Sequence, residues 1–118
     1  MTPTVLGPGT NGVNVSAGNV FWVNGTTKNV VKCSEAGCSG APLTLGSSNQ
    51  PSHVVSDGAS VYWRDDFLDH IYKCSAGGCS PSPQIIATKQ RGQPGSQLAL
   101  DGLYLYWTTT SGVYRLPK

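Results

Sequence analysis

One strand-sized motif returns along the chain, and its return constrains the fold more tightly than any other feature. Val20-Phe21-Trp22 is echoed by Val61-Tyr62-Trp63 and by Leu105-Tyr106-Trp107, with the tryptophans 41 and 44 residues apart. Such a period marks a unit that cannot bury its apolar faces alone and stacks on neighbours of its own kind. Before each aromatic pair lies an apolar run closing in a turn: Val13 to Gly18, Val54 to Gly58 and Leu98 to Gly102. The second and third turns read Asp-Gly, a hairpin signal because both positions must accept φ > 0. A third run follows each pair, as Val30-Val31-Lys32, Ile71-Tyr72-Lys73 and Val113-Tyr114-Arg115. A fourth follows in two copies, as Pro42 to Leu45 and Gln84 to Ala87.

Named A to D in order, these runs make an up-and-down four-stranded antiparallel meander, the blade of a β-propeller, and the fold class is all-β. Within a single domain spanning 1–118, one blade occupies 13–46, a second 53–88, and strands A to C of a third 97–117. Thr2-Pro3-Thr4-Val5-Leu6-Gly7 reads like Ala41-Pro42-Leu43-Thr44-Leu45-Gly46, so residues 2–7 are expected to be a strand D. The order is then D, ABCD, ABCD, ABC, half of a six-bladed propeller. Propellers use about four to eight blades, so three cannot close a ring. The expected partner is the chain itself, as a homodimer in which each N-terminal strand completes the other copy's last blade. A piece of a longer chain, and an engineered or excised fragment whose only property is self-assembly, are the alternatives.

Composition narrows the function classes. With 12% charged residues and a formal net charge of +2, nothing calls for nucleic acid or a membrane as partner. No apolar run approaches the ~18 residues of a membrane helix. Met1 is followed by Thr2-Pro3-Thr4 rather than a basic and then apolar stretch, so no signal peptide is expected within these residues. The 15 Gly and 8 Pro suit β-turns, while 3 Trp and 5 Tyr argue for a packed core rather than disorder.

Tyr62-Trp63-Arg64-Asp65 and Tyr106-Trp107-Thr108-Thr109 bring a family into view. Over nearly its whole length the chain resembles the YWTD, NHL and TolB-like group of six-bladed propellers, and Leu98-Ala99-Leu100-Asp101-Gly102 matches the group's strand A pattern. Asp65 stands where the signature has its Asp, but the other copies carry Asn24 and Thr109. A blade-linking hydrogen bond from that Asp is therefore implied in one repeat only. The resemblance says little about activity, because such propellers host lyases, receptors, lectins and scaffolds alike. The repeated Lys-Cys-Ser-x-x-Gly-Cys-Ser element is similar to cysteine-bearing repeats of secreted bacterial propellers.

Cys33 and Cys38, and likewise Cys74 and Cys79, are separated by four residues between strands C and D. Disulfides Cys33–Cys38 and Cys74–Cys79 would staple the two C–D loops and imply an oxidising, secreted or periplasmic compartment. Free thiols and a four-cysteine zinc site are the competing readings. Zinc would need sulfurs from separate blades to meet around one ion.

Candidate site residues are few. Phe21, Trp22, Tyr62, Trp63, Tyr106 and Trp107 recur in strand B and are expected to pack blade on blade, with a stacking platform for a sugar as the alternative. Of the B–C loops only the second carries chemistry: Arg64, Asp65, Asp66, Asp69 and His70. Lys89 and Arg91, in the linker from Thr88 to Gly95, add a candidate anion site beside it. His53 is expected to begin a strand A and to face the channel that this strand lines. No phosphate loop, nucleophile elbow or His-Glu-x-x-His motif is present, so neither a cofactor nor an enzyme is expected. The expected function is a non-catalytic scaffold binding a protein, peptide or glycan. A metal-dependent lyase or hydrolase using Asp65, Asp66, Asp69 and His70 is the alternative.

Overall fold

The computed structural model describes residues 2–80, 82–93 and 96–118. Every regular element among the described residues is a strand: β1 (Asn11–Ser16), β2 (Asn19–Asn24), β3 (Asn29–Ser34), β4 (Leu43–Ser47), β5 (Pro51–Ser56), β6 (Ser60–Asp65), β7 (His70–Ser75), β8 (Gln84–Ala87), β9 (Leu98–Leu100), β10 (Tyr104–Thr109) and β11 (Gly112–Pro117). They form three antiparallel sheets, ordered β1-β2-β3-β4, β5-β6-β7-β8 and β9-β10-β11. These are the three blades expected from the repeat, with strands A to D innermost to outermost. A bulge falls between Val30 and Val31 in the first blade and at the matching Ile71 and Tyr72 in the second. Each places one extra residue, Leu45 or Ile86, in the outermost strand, which bends and twists that strand while its pairing continues on both sides.

The A–B hairpins depart from the expected turn. Only the first carries two positive-φ residues, Ala17 at 52° and Gly18 at 78°. In the second and third the Asp side chain replaces that geometry. Asp57 Oδ1 accepts from the amides of Ala59 and Ser60 at 3.0 and 2.8 Å. Asp101 Oδ1 accepts from Leu103 and Tyr104, both at 2.7 Å. A carboxylate that bonds amides two and three residues on organises the turn without requiring left-handed backbone at the Asp itself.

Burial follows from stacking. In β2 the consecutive residues Phe21, Trp22 and Val23 are all buried, as are Val61 to Asp65 in β6. A strand with one wet face would alternate, whereas β6 lies between two other blades and β2 between the second blade and the N-terminal segment, so both are covered on both faces. The core is accordingly divided between the blades. One cluster joins Phe21, Val23, Val30 and Leu45 of the first blade to Val54, Val61, Trp63 and Tyr72 of the second. The next joins Tyr62, Ile71 and Ile86 of the second to Leu98, Leu105 and Trp107 of the third. On the other flank of the first blade, Trp22, Val31 and Cys33 meet Leu6.

Residues 2–7 form no strand within the single chain. The expected ladder requires an adjacent strand C, and β11 of this chain lies two blades away. The segment instead lies along the first blade.

Both disulfides form, Cys33–Cys38 and Cys74–Cys79, with Cα separations of 5.5 and 5.1 Å. Each also touches the chain that lies in front of it. Cys79 donates its amide to Leu45 O at 2.9 Å, and Cys38 Sγ lies 3.5 Å from Leu6 O. Replacing Cys74 and Cys79 together by serine is expected to lower the unfolding free energy by about 2 kcal/mol through loop closure alone. The lost packing on the first blade adds to that, and urea denaturation measures the sum.

Candidate functional site

Strand B of each blade ends on a residue whose side chain closes the B–C turn. Asn24 Oδ1 accepts from Thr26 and Thr27 at 3.1 and 3.3 Å. Asp65 Oδ1 accepts from Phe67 and Leu68 at 3.0 and 2.8 Å. Thr109 Oγ1 accepts from Ser111 at 3.1 Å. Asn, Asp and Thr share one local task here. The carboxylate alone has a second oxygen, and Oδ2 of Asp65 accepts from Gln50 N at 2.7 Å, in the linker that leaves the first blade. That is the blade-linking bond, and it occurs in one repeat because only one repeat has the Asp.

Asp65 is 1% exposed and Arg64 2%. Arg64 extends from β6 to the third blade, where Nη1 donates to Thr108 O at 3.0 Å and Nη2 to Gln90 O at 2.8 Å. Its Nε stands 3.6 Å from Asp66 Oδ1. A Cβ at Gly92 would collide with Arg64 Nη2 and with Ser96 Oγ at 2.5 Å, so a side chain there would have to displace the guanidinium or Ser96. Burial pushes the Asp65 carboxyl up, but the amides of Gln50, Leu68 and Phe67 and the Ser48 hydroxyl outweigh it and hold the pKa below the usual 3.8. Asp65 and both terminal nitrogens of Arg64 are thereby taken up by internal partners and turned away from solvent, while Arg64 Nε has only the longer approach to Asp66.

The remaining charged candidates divide. Asp66, Asp69 and Arg91 line an open cavity of about 350 Å³ with Gln50, Gly92 and Gln93. Lys89 is exposed outside that lining. His70 turns to its own strand, with Nδ1 3.3 Å from the Tyr72 hydroxyl. Among the described residues no three His, Cys, Asp or Glu side chains come together as a metal-binding group. Of the linker from Thr88 to Gly95, Pro94 and Gly95 lie outside the described residues.

His53 sits in β5, not at its start, and lines a cleft of about 300 Å³ with Asn14 of β1 and Gln97 ahead of β9. The innermost strands of the three blades meet there. Burial lowers the His53 pKa from 6.5, with Arg64 lowering it further and Asp66 opposing. The imidazole is therefore neutral at neutral pH, and Nδ1 is buried with no hydrogen-bond partner.

Phe67 is a residue that the sequence reading passed over. Its ring is 66% exposed at the tip of the second B–C turn. Beside it a cleft of about 450 Å³ between the first and second blades is lined by Asn11, Lys28, Asn49, Gln50 and Pro51. The available signal was a large apolar residue inside the run Asp65-Asp66-Phe67-Leu68-Asp69, where a solvated turn has no need of one.

The tryptophans form the most regular element of the site. Each indole Nε1 donates to the linker in front of its blade: Trp22 to Pro8 O at 2.9 Å, Trp63 to Ser48 Oγ at 3.1 Å and Trp107 to Gln90 Oε1 at 2.8 Å. Trp63 is fully buried. The repeated indoles are committed to packing and to the linkers, not to an open platform.

No family model and no curated protein matches the chain. Among solved structures it is similar to a chain of "Crystal structure of Nidogen/Laminin Complex", with TM-score 0.65 and 19% identity over 84% of this chain and 39% of that one. It is also similar to "Streptogramin B lyase structure", with TM-score 0.57 and 14% identity over 98% of this chain and 43% of that one. Both are β-propellers, and the likeness shows that the blades of this chain are propeller blades. The chain spans about two fifths of their length.

The depressed Asp65 pKa has a definite sign. The carboxylate contributes stability that is fully present above its unfolded pKa of 3.8 and is lost as pH falls through the lower folded value. Asp65→Asn keeps the turn-closing oxygen but sets an NH₂ group against Gln50 N. It is expected to cost about 1–3 kcal/mol and to flatten the loss of stability in acid. Urea denaturation from acid to neutral pH measures both effects.

Proposed function

We propose that the chain is a non-catalytic β-propeller module, that two copies close into a six-bladed homodimer by exchange of the N-terminal strand, and that the ring is a binding scaffold. The observation that carries this reading is the unequal state of the three core clusters. Two are filled from both sides by blades, while Trp22, Val31 and Cys33 receive only Leu6 from beyond their own blade. At the opposite end, β11 has no strand on its outer edge among the described residues, and Val113 and Tyr114 are 75% and 43% exposed. A half-filled apolar flank and an unpaired strand edge are complementary defects, and an exposed edge invites pairing with another chain. Six blades, as in the YWTD-like group, is the number two copies supply.

The non-catalytic part rests on Arg64 and Asp65 being taken up by internal bonds, which leaves the alternative lyase or hydrolase without its central carboxylate. The binding part rests on the face that carries Phe67 and the neighbouring amides. An exposed aromatic ring beside Asn11, Asn49 and Gln50 suits a protein, peptide or glycan ligand. One structural neighbour was solved as a complex with another protein, and a protein ligand is a corresponding proposal for this chain. The two disulfides favour a secreted or periplasmic setting.

Light scattering of the purified chain at micromolar concentration is expected to give twice the 12.4 kDa mass of one chain. A mass equal to a single chain would overturn the closed dimer.

A further inference from the structure

The N-terminal segment already stands where the outer strand of a preceding blade belongs. Leu45 and Gly46 of β4 lie against the second blade, and a Cβ on Gly46 would sit 3.3 Å from Trp63 Cη2 and 2.6 Å from Cys79 Sγ. Leu6 and Gly7 lie against the first blade in the same way, and a Cβ on Gly7 would sit 3.2 Å from Trp22 Cζ2. Leu45 O faces Cys79 N at 2.9 Å, and Leu6 O faces Cys38 Sγ at 3.5 Å. Leu6 thus holds towards the first blade the position that Leu45 holds towards the second. What it lacks is a strand C on its other side.

Internal pairing gives the register that a strand C would adopt. Val31 pairs with Thr44 and Lys32 with Leu43 in the first blade, and Tyr72 with Ile85 and Lys73 with Gln84 in the second. Carried to the third blade, Tyr114 stands opposite Val5 and Arg115 opposite Thr4. Val5 is 84% and Tyr114 43% exposed, so both positions are open to such pairing.

Charge supplies an independent observation. Lys32 reaches from the first blade to the disulfide loop of the second, donating from Nζ to Ala76 O at 3.0 Å. The third blade carries Arg115 at the Lys32 position, held over the Tyr104 ring at 4.2 Å. The position of Ala76, two residues after the first cysteine of its loop, is taken in the first blade by Glu35, which is exposed and is the chain's single glutamate. A neutral residue therefore occupies the internal junction, and a carboxylate occupies the one that faces outward.

We propose that, at the junction between two copies, β11 pairs with Thr2–Gly7 of the partner subunit and Arg115 forms an ion pair with Glu35 of the partner subunit. This rests on the homodimer proposed above and names the contact that holds it. Strand exchange then needs no unseating of the N-terminal segment, since Trp22 and the Cys33–Cys38 loop of its own chain already hold it in place.

Two measurements test the junction. Glu35→Arg and Arg115→Glu, each alone, are expected to raise the dimer dissociation constant about tenfold by placing like charges together. Combining both in one chain is expected to restore it. In the second, Val5→Cys and Tyr114→Cys are made in separate chains and mixed under mild oxidation. A covalent dimer is expected, with a disulfide-linked peptide carrying position 5 of one chain and position 114 of the other. If the unaltered chain is a dimer, but the charge reversals add without rescue and no such peptide forms, this junction is wrong while the dimer stands. If the unaltered chain is a monomer at every concentration reached, both readings fall together.

Discussion

The tryptophan near the end of strand B is the interaction on which the rest of the molecule depends. One side of each blade must be covered by the chain that precedes it, and Trp22, Trp63 and Trp107 each sit in the apolar cluster at that flank. The indole also has a single donor that must be satisfied when buried. It finds its acceptor in the linker that leads into its own strand A, at Pro8, Ser48 or Gln90. Packing and hydrogen bonding therefore pin the same stretch of chain, and blade order and linker path are decided together.

Around this contact the blades are joined by groups that local sequence makes look unrelated. The disulfide loop of the second blade leans on β4 through Cys79 and receives Lys32 at Ala76. Asp65 reaches back to Gln50, while Arg64 reaches forward to Thr108. A solvated Arg-Asp pair contributes little to stability. Arg64 and Asp65 are buried, and each charge is matched chiefly by backbone carbonyls or amides. Their value lies in aligning three consecutive blades, because each bond crosses a junction that apolar packing alone leaves free to slide.

Much of the fold was legible in the residues. Period, apolar alternation and turn chemistry mark out strands A to D, because those signals are local and each blade repeats them. The Asp-Gly turns were located correctly, but their backbone was not, since an Asp carboxylate and a left-handed pair solve the same turn in different ways. The site was less legible. Arg64, Asp65, Asp66, Asp69 and His70 read as one charged loop. Strand geometry instead sends the first two into the core, leaves Asp66 and Asp69 beside Arg91, and turns His70 toward Tyr72.

Sequence alone determined that this chain makes propeller blades and that Asp65 would be singular among the repeats. It did so because a blade's hydrophobic pattern and its turns are set within some forty residues, and the equivalent copies can be read against one another. Tertiary structure decided which charged side chains are spent on holding blades together and which face water. It also decided that Leu6 lies on the first blade with one side unpaired. Those outcomes depend on distances between residues that the chain brings together only by stacking one blade on the next, and no local pattern encodes them.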